Sequence, residues 1–152
     1  MVDIALLKKA NSDLYKQLRE LILKSLDESL YQNDRYGQEF SSLLIHAAEN
    51  ALNAEDCKKH LRKSDHAYQL DENLVLIYFD HANFSGGVSA AQKLQYAIHN
   101  MNIHLNLYYA EAHVYEKEEH SIDIASQLLS TLIYAVEESV SNQIVDYSML
   151  RL

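Results

Sequence analysis

The chain has 152 residues, 48% hydrophobic and 23% charged, with three glycines, no proline and one cysteine, which suits a single domain with a real core. Gly37, Gly86 and Gly87 can build neither the Gly-x-x-x-x-Gly-Lys-Ser/Thr phosphate loop nor the Gly-x-Gly-x-x-Gly dinucleotide turn. The net charge of −9 repels phosphate backbones, and the longest basic stretch (Lys58, Lys59, Arg62 and Lys63 around His60) is interrupted, so no nucleic-acid partner is expected.

Taken in chain order, residues 2–32 read as one long helix. Ile4, Leu7, Asn11, Leu14, Leu18 and Leu21 recur at alternating spacings of three and four, a heptad seam with Asn11 at an inward position that sets register. That seam is a candidate homodimer interface as a short coiled coil. Beyond Leu21 its next members are Ser25 and Glu28, and Ile22, Leu26 and Leu30 carry a different stripe suited to the chain's own core. Asn33, Asp34 and Gly37 are turn formers, so the helix (1–32) is set apart from a domain at 33–152. There, FSSLLIHA (40–47) reads as a strand, 54–64 as a short helix, and 66–70 with 74–80 as a strand pair turning through Asp71, Glu72 and Asn73. LVLIYF (74–79) has no polar alternation, which marks a central strand buried on both faces.

Ser85 is a candidate cap for a helix over 86–101 whose inward face is Val88, Ala91, Leu94, Ile98 and Met101. A strand follows over 104–115. Ser121 is a candidate cap for a helix with Ala125, Leu128, Leu129, Leu132, Ile133 and Val136 on one face, and 143–147 offers a last short strand. The expected class is α+β: a central sheet of about five strands flanked by helices, with a long N-terminal helix.

That order, with its central hairpin, resembles a GGDEF domain, the palm-like fold of diguanylate cyclases. The carrying stretch is LRKSDHAYQLDENLVLIYF (61–79). Arg62 and Asp65 match the family's Arg-x-x-Asp motif. Five residues later, Asp71, Glu72, Asn73, Leu74 and Val75 stand at the signature Gly-Gly-Asp/Glu-Glu-Phe turn. DRYGQEFSSLLI, LNLYYAEAHVY, SQLLSTLIYAVEES and NQIVDY fall where the family has its first strand and its last three elements.

The departures carry the functional reading. In the family the paired glycines let backbone approach the phosphates of GTP; Asp71 and Glu72 replace them. Family carboxylates at the end of the first strand and in the turn hold magnesium; here those positions read as His46 and as Asn73 and Leu74. The stretch between His46 and Arg62 is also shorter than the family's, and the missing part includes a helical segment that helps recognise guanine. The resemblance therefore implies a degenerate, non-catalytic signalling or scaffold module with a protein partner and no cofactor. Arg62 and Asp65 occupy the family's cyclic di-GMP product site, so a receptor for that ligand is the alternative: an Arg fork suits phosphate or a guanine edge and Asp accepts from guanine N–H groups. The competing reading makes Arg62 a helix C-terminal cation and Asp65 a turn residue.

Other chemistry is thinner. The eight histidines form no His-Glu-x-x-His or Cys/His zinc pattern; His99 with His104, Glu116 with His120, and Glu111 with His113 are the nearest approaches to a metal set, and no metal is expected. Cys57, beside Asp56, Lys58 and Lys59, has no assignable base, which leaves a small enzyme with an unrecognised site as a third reading. Glycines 86 and 87 follow the second hairpin strand and read as a flexible helix start. The N-terminus mixes Asp3, Lys8 and Lys9 into its apolar residues, and no apolar run nears the roughly 20 residues that span a bilayer. A cytoplasmic chain without membrane insertion is expected.

Overall fold

The computed structural model describes residues 1–8, 12–101, 105–115 and 123–150. Five strands form one mixed sheet in the order β2-β3-β1-β4-β5: β1 Phe40–Ala47, β2 His66–Asp71, β3 Leu74–Asp80, β4 Leu107–Val114 and β5 Ile144–Asp146. The first four pair antiparallel, and β5 runs parallel to β4. Every residue of β1 is buried, and so is β3 up to Phe79, as expected of central strands covered on both faces.

Because side chains alternate across a strand, the sheet has two cores. One face, with Phe40, Leu44, Leu76 and Ala110, packs on the N-terminal segment, α1 (Asp13–Ser25) and α5 (Ile124–Glu137). The other, with Leu43, Ile45, Ile77 and Tyr109, packs on α3 (Ala54–Lys58) and α4 (Phe84–Met101). The α+β architecture matches the expected one, and no helix among the described residues is long and apolar enough to cross a membrane.

The long helix expected over 2–32 is corrected to three pieces: a 3-10 turn at Ile4–Leu7, α1, and α2 at Asp27–Tyr36. Leu26 separates the last two; its φ of −96° and ψ of 6° leave the helical region while its side chain is fully buried. Helix α2 runs through the boundary placed after Gln32 and ends at Gly37, whose φ of 69° is the left-handed C-cap that favours glycine. Ile4, Leu7 and Leu18, three inward members of the seam, are buried in the chain's own core; Leu14 packs on it partly and Leu21 is exposed. Once they cover the sheet they have no surface left for a second helix. Asn11 lies outside the described residues.

Two caps also differ. The side chain of Asn83, not Ser85, accepts from Gly86 N–H at 2.7 Å to open α4. Asp123 caps α5 through the Ser126 N–H at 3.0 Å; Ser121 lies outside the described residues. Gly87 is more than a flexible start. A Cβ there would sit 2.0 Å from Ser41 Oγ and 2.5 Å from Ser41 Cβ, so glycine is what lets α4 approach β1.

Candidate functional site

The β2–β3 hairpin turns on two residues, Glu72 and Asn73, between paired Asp71 and Leu74. Neither has positive φ, so this turn needs no glycine. Asp71 Oδ1 accepts from the Glu72 N–H at 2.9 Å, and Glu72 itself is exposed. Leu74 and Val75 are fully buried strand residues on opposite faces.

Asn73 is also fully buried, and its amide is spent on backbone. Oδ1 accepts from the Val2 N–H at 2.9 Å, while Nδ2 donates to Val2 O and Ala47 O, both at 3.0 Å. A side-chain amide that takes one peptide N–H and one peptide C=O imitates a strand neighbour. It ties the N-terminal segment, a strap whose Val2, Ile4 and Leu7 are buried, across the mouth of the hairpin. His46 lies beside it at the end of β1, with Nε2 3.1 Å from both Val2 O and Asn73 Nδ2. Burial holds its pKa below the usual imidazole value, against the pull of Val2 O and Asp3.

The structure thus brings together His46 and Asn73, two of the three positions at which the family resemblance places metal carboxylates; the third, Leu74, is a fully buried strand residue with no donor atom in its side chain. Their donor set is an imidazole and an amide, both engaged with protein backbone, and it does not fit magnesium, which wants oxygen ligands. Among the described residues no group of three or more histidine, cysteine or acidic side chains is placed to hold a metal. His104, Glu116 and His120 lie outside the described residues.

Arg62 and Asp65 lie beyond α3, in the loop leading into β2. They close on each other: Asp65, 2% exposed, accepts from Arg62 N at 3.0 Å, Nε at 3.2 Å and Nη2 at 3.0 Å. Arg62 Nη2 also donates to Asp80 O at 3.1 Å, which anchors the loop to the end of β3. Lys58 donates to Asp65 O. The hydrogen bond and charge of Asp65 raise the Arg62 pKa further, so the guanidinium is permanently charged. It stands on the wall of a cavity of about 360 Å³ between this loop and the start of α4, with His60, His81, Gly86, Ser89 and Lys93.

Glu111 and His113, paired in the sequence only as a thin metal candidate, belong to two further polar features whose burial and partners the sequence did not show. Glu111 on β4 is fully buried, both carboxylate oxygens lacking a hydrogen-bond partner among the described residues, and its register partner on β5 is Asp146. Burial, then Asp146, pushes its pKa up to about 8. Ser41 Oγ and His113 Nδ1 are 2.6 Å apart on the same face. Both lie mid-strand, where a strand pattern shows only that a polar residue interrupts apolar ones. Cys57 is buried and its thiol pushed up to about 12 by burial and then by Asp56, the reverse of an activated nucleophile.

No protein-family model matches the sequence, and no curated protein matches it. Solved structures do. An active GGEEF domain of a diguanylate cyclase from Vibrio cholerae superposes with a TM-score of 0.64 at 11% identity, over 85% of this chain and 96% of that one. The GGDEF domain of DgcB from Caulobacter crescentus, in complex with c-di-GMP, gives 0.63 at 8% identity over 86% and 90%. The diguanylate cyclase SiaD from Pseudomonas aeruginosa, in complex with its activator SiaC, gives 0.64 at 11% identity over 84% of this chain; the chain spans 57% of that structure. The fold is GGDEF-like.

Proposed function

We propose that this chain is a non-catalytic GGDEF-type signalling module that acts through contact with a protein partner. One observation carries the reading: the signature turn is occupied by the chain itself. Asn73 and His46 hold the backbone of Val2, and they stand at positions that the resemblance assigns to metal binding. Glu72 and Asp71 add negative charge at the same turn, which opposes a triphosphate. The SiaD structure, with its activator bound, is a precedent for a protein partner on this fold. The test is incubation of the purified chain with GTP and magnesium or manganese, followed by chromatography for cyclic dinucleotide. No product is expected above a protein-free control; accumulation that grows with protein concentration overturns the reading.

A second reading is favoured by the cavity beside Arg62. In a chain of net charge −9 it is lined by Arg62, Lys93, His60 and His81, and the DgcB domain was solved with c-di-GMP. Opposing it, Asp65 already spends its oxygens on Arg62, so a guanine edge would have to displace that pair. Calorimetry with cyclic di-GMP on the native chain and on Arg62→Ala decides. Micromolar binding that the variant loses makes the module a receptor, whereas no heat from either folded protein leaves the scaffold reading alone.

A further inference from the structure

We propose that Glu111 and Asp146 form a proton-operated latch: β5 and the 3-10 turn after it (Tyr147–Met149) stay on the sheet while the pair holds a proton between its carboxyl groups, and come away from β4 when that proton passes to water. The two residues are direct register partners in a parallel strand pair, so their side chains leave the same face of strands that run roughly 4.8 Å apart. Both are buried, at 0% and 5% exposure. Glu111 Oε1 and Oε2 and Asp146 Oδ2 have no hydrogen-bond partner among the described residues. Asp146 Oδ1 accepts from the Ser148 N–H at 2.8 Å, which ties the latch to the turn. One proton makes an orphaned acceptor into a donor for its neighbour; without it, two like charges face each other away from water.

The segment is built to yield at this point. β5 has three residues, Val145 is its one buried apolar side chain, and the turn after it buries none, so little apolar burial opposes its departure. Its upstream end is anchored instead. The Asn142 N–H donates to Leu107 O at 2.6 Å, Asn142 Oδ1 accepts from the Leu107 N–H at 3.1 Å, and Gln95 donates to Asn142 O at 3.0 Å. Opening therefore hinges after Asn142 and bares the outer edge of β4 beside Glu111. The surrounding ionisable groups are placed elsewhere. On the same face of β4, Tyr109 and His113 lie two residues to either side, His113 toward Ser41 and Glu39, and β1 opposes Glu111 with Leu43. On α4, Lys93 lines the cavity beside Arg62, Tyr96 is exposed and His99 sits in the last turn. α5 and Tyr147 pack on the opposite face. Asp146 is the charge that acts on Glu111.

On the sheet Glu111 keeps its proton up to about pH 8, whereas at the bared edge it titrates as an ordinary carboxyl group. The open state binds fewer protons, so each pH unit between those limits favours opening by up to about tenfold. The test is amide hydrogen exchange of the ¹⁵N-labelled full chain, read by nuclear magnetic resonance from pH 6 to 8 and divided by the intrinsic rates. The expected opening constants of β5 amides rise by about fivefold to tenfold per pH unit and exceed those of β3 amides by at least about tenfold throughout. Glu111→Gln, whose amide donates to Asp146 at any pH, removes the slope and slows β5 exchange at pH 8. Asp146→Asn, which removes the opposing charge, also slows β5 exchange at pH 8. If Glu111→Gln fails to fold, the native profile and Asp146→Asn decide. Opening constants of β5 that do not change with pH, that equal those of β3, that keep their slope in Glu111→Gln, or that are unaltered at pH 8 in Asp146→Asn each overturn the proposal. The measurement is independent of the GTP assay, so either proposal can fail while the other stands.

Discussion

Asn73 shows how one side chain can make a hairpin turn into a structural clasp. Its amide satisfies the N–H and C=O of Val2 and the C=O of Ala47, and a shorter side chain removes all three bonds from a water-poor site, leaving His46 Nε2 as the remaining side-chain partner of Val2 O. Asn73→Ala is expected to lower unfolding stability in urea by about 3 kcal/mol. Asn73→Asp, which restores a family carboxylate, removes both donors and sets a charge against two carbonyl oxygens. It is expected to be the less stable variant and to gain no magnesium-dependent turnover of GTP. At this scale the sequence was only partly legible. The Arg-x-x-Asp spacing located Arg62, Asp65 and the hairpin, and the replaced residues at His46 and Asn73 were visible as departures. What they do instead was not, because their partner at Val2 is a peptide group, which every residue has and no sequence pattern marks. The burial of Glu111, named in the sequence only beside His113, was hidden for a related reason: it follows from α4 lying across the sheet, a tertiary fact.

Among elements, the strands were the most legible. An unbroken apolar run gave β3 its observed limits, because a strand buried on both faces favours apolar residues; β1 also kept its expected limits, although Ser41, Ser42 and His46 are buried within it. Helical periodicity is less specific, since a stripe at three-and-four spacing does not say whose surface it meets. Ile4, Leu7 and Leu18 satisfy a coiled-coil template and a sheet-covering one equally, and the sheet is the surface they cover. The close contact of α4 with β1 was equally hidden, although Gly87 is its mark. Gly87→Ala is expected to destabilise the fold by about 1–3 kcal/mol, because the new methyl group collides with Ser41 in a packed layer. The second substitution Ser41→Gly removes the atoms struck, so the double variant should recover part of the loss. A thermodynamic cycle measured by chemical denaturation reads that coupling directly; strictly additive losses would dissociate Gly87 from the β1 contact.

For the molecule as a whole, two buried groups set how stability depends on pH. Glu111 keeps its proton in the folded state up to about pH 8, whereas the unfolded chain releases it near the ordinary carboxylate value. Between those limits the folded state binds more protons, so stability falls as pH rises, by about 1.4 kcal/mol per unit at most. His46 acts in the opposite sense. Its folded pKa is depressed, so stability falls as pH drops below the ordinary imidazole value. The two slopes oppose each other in mild acid, and from neutrality to about pH 8 Glu111 is the main contributor among the described residues, before Cys57 adds a decline of the same sign at higher pH. Denaturation midpoints measured from pH 6.5 to 8.5 should therefore decline and then level off. Glu111→Gln should flatten that decline and be more stable than the native chain at pH 8.5. A decline that survives the substitution would assign the proton to another group.

The strap also sets an order of events during synthesis. Val2 finds its partner 71 residues downstream, and the sheet that receives Ile4 and Leu7 does not exist until β3 has been made. At ordinary elongation rates of about 5–20 residues per second, Val2, Ile4 and Leu7 wait roughly 4–14 s before the hairpin that receives them has been made. During that interval these apolar side chains have no sheet to cover, and the hairpin that closes over Val2 ends their exposure.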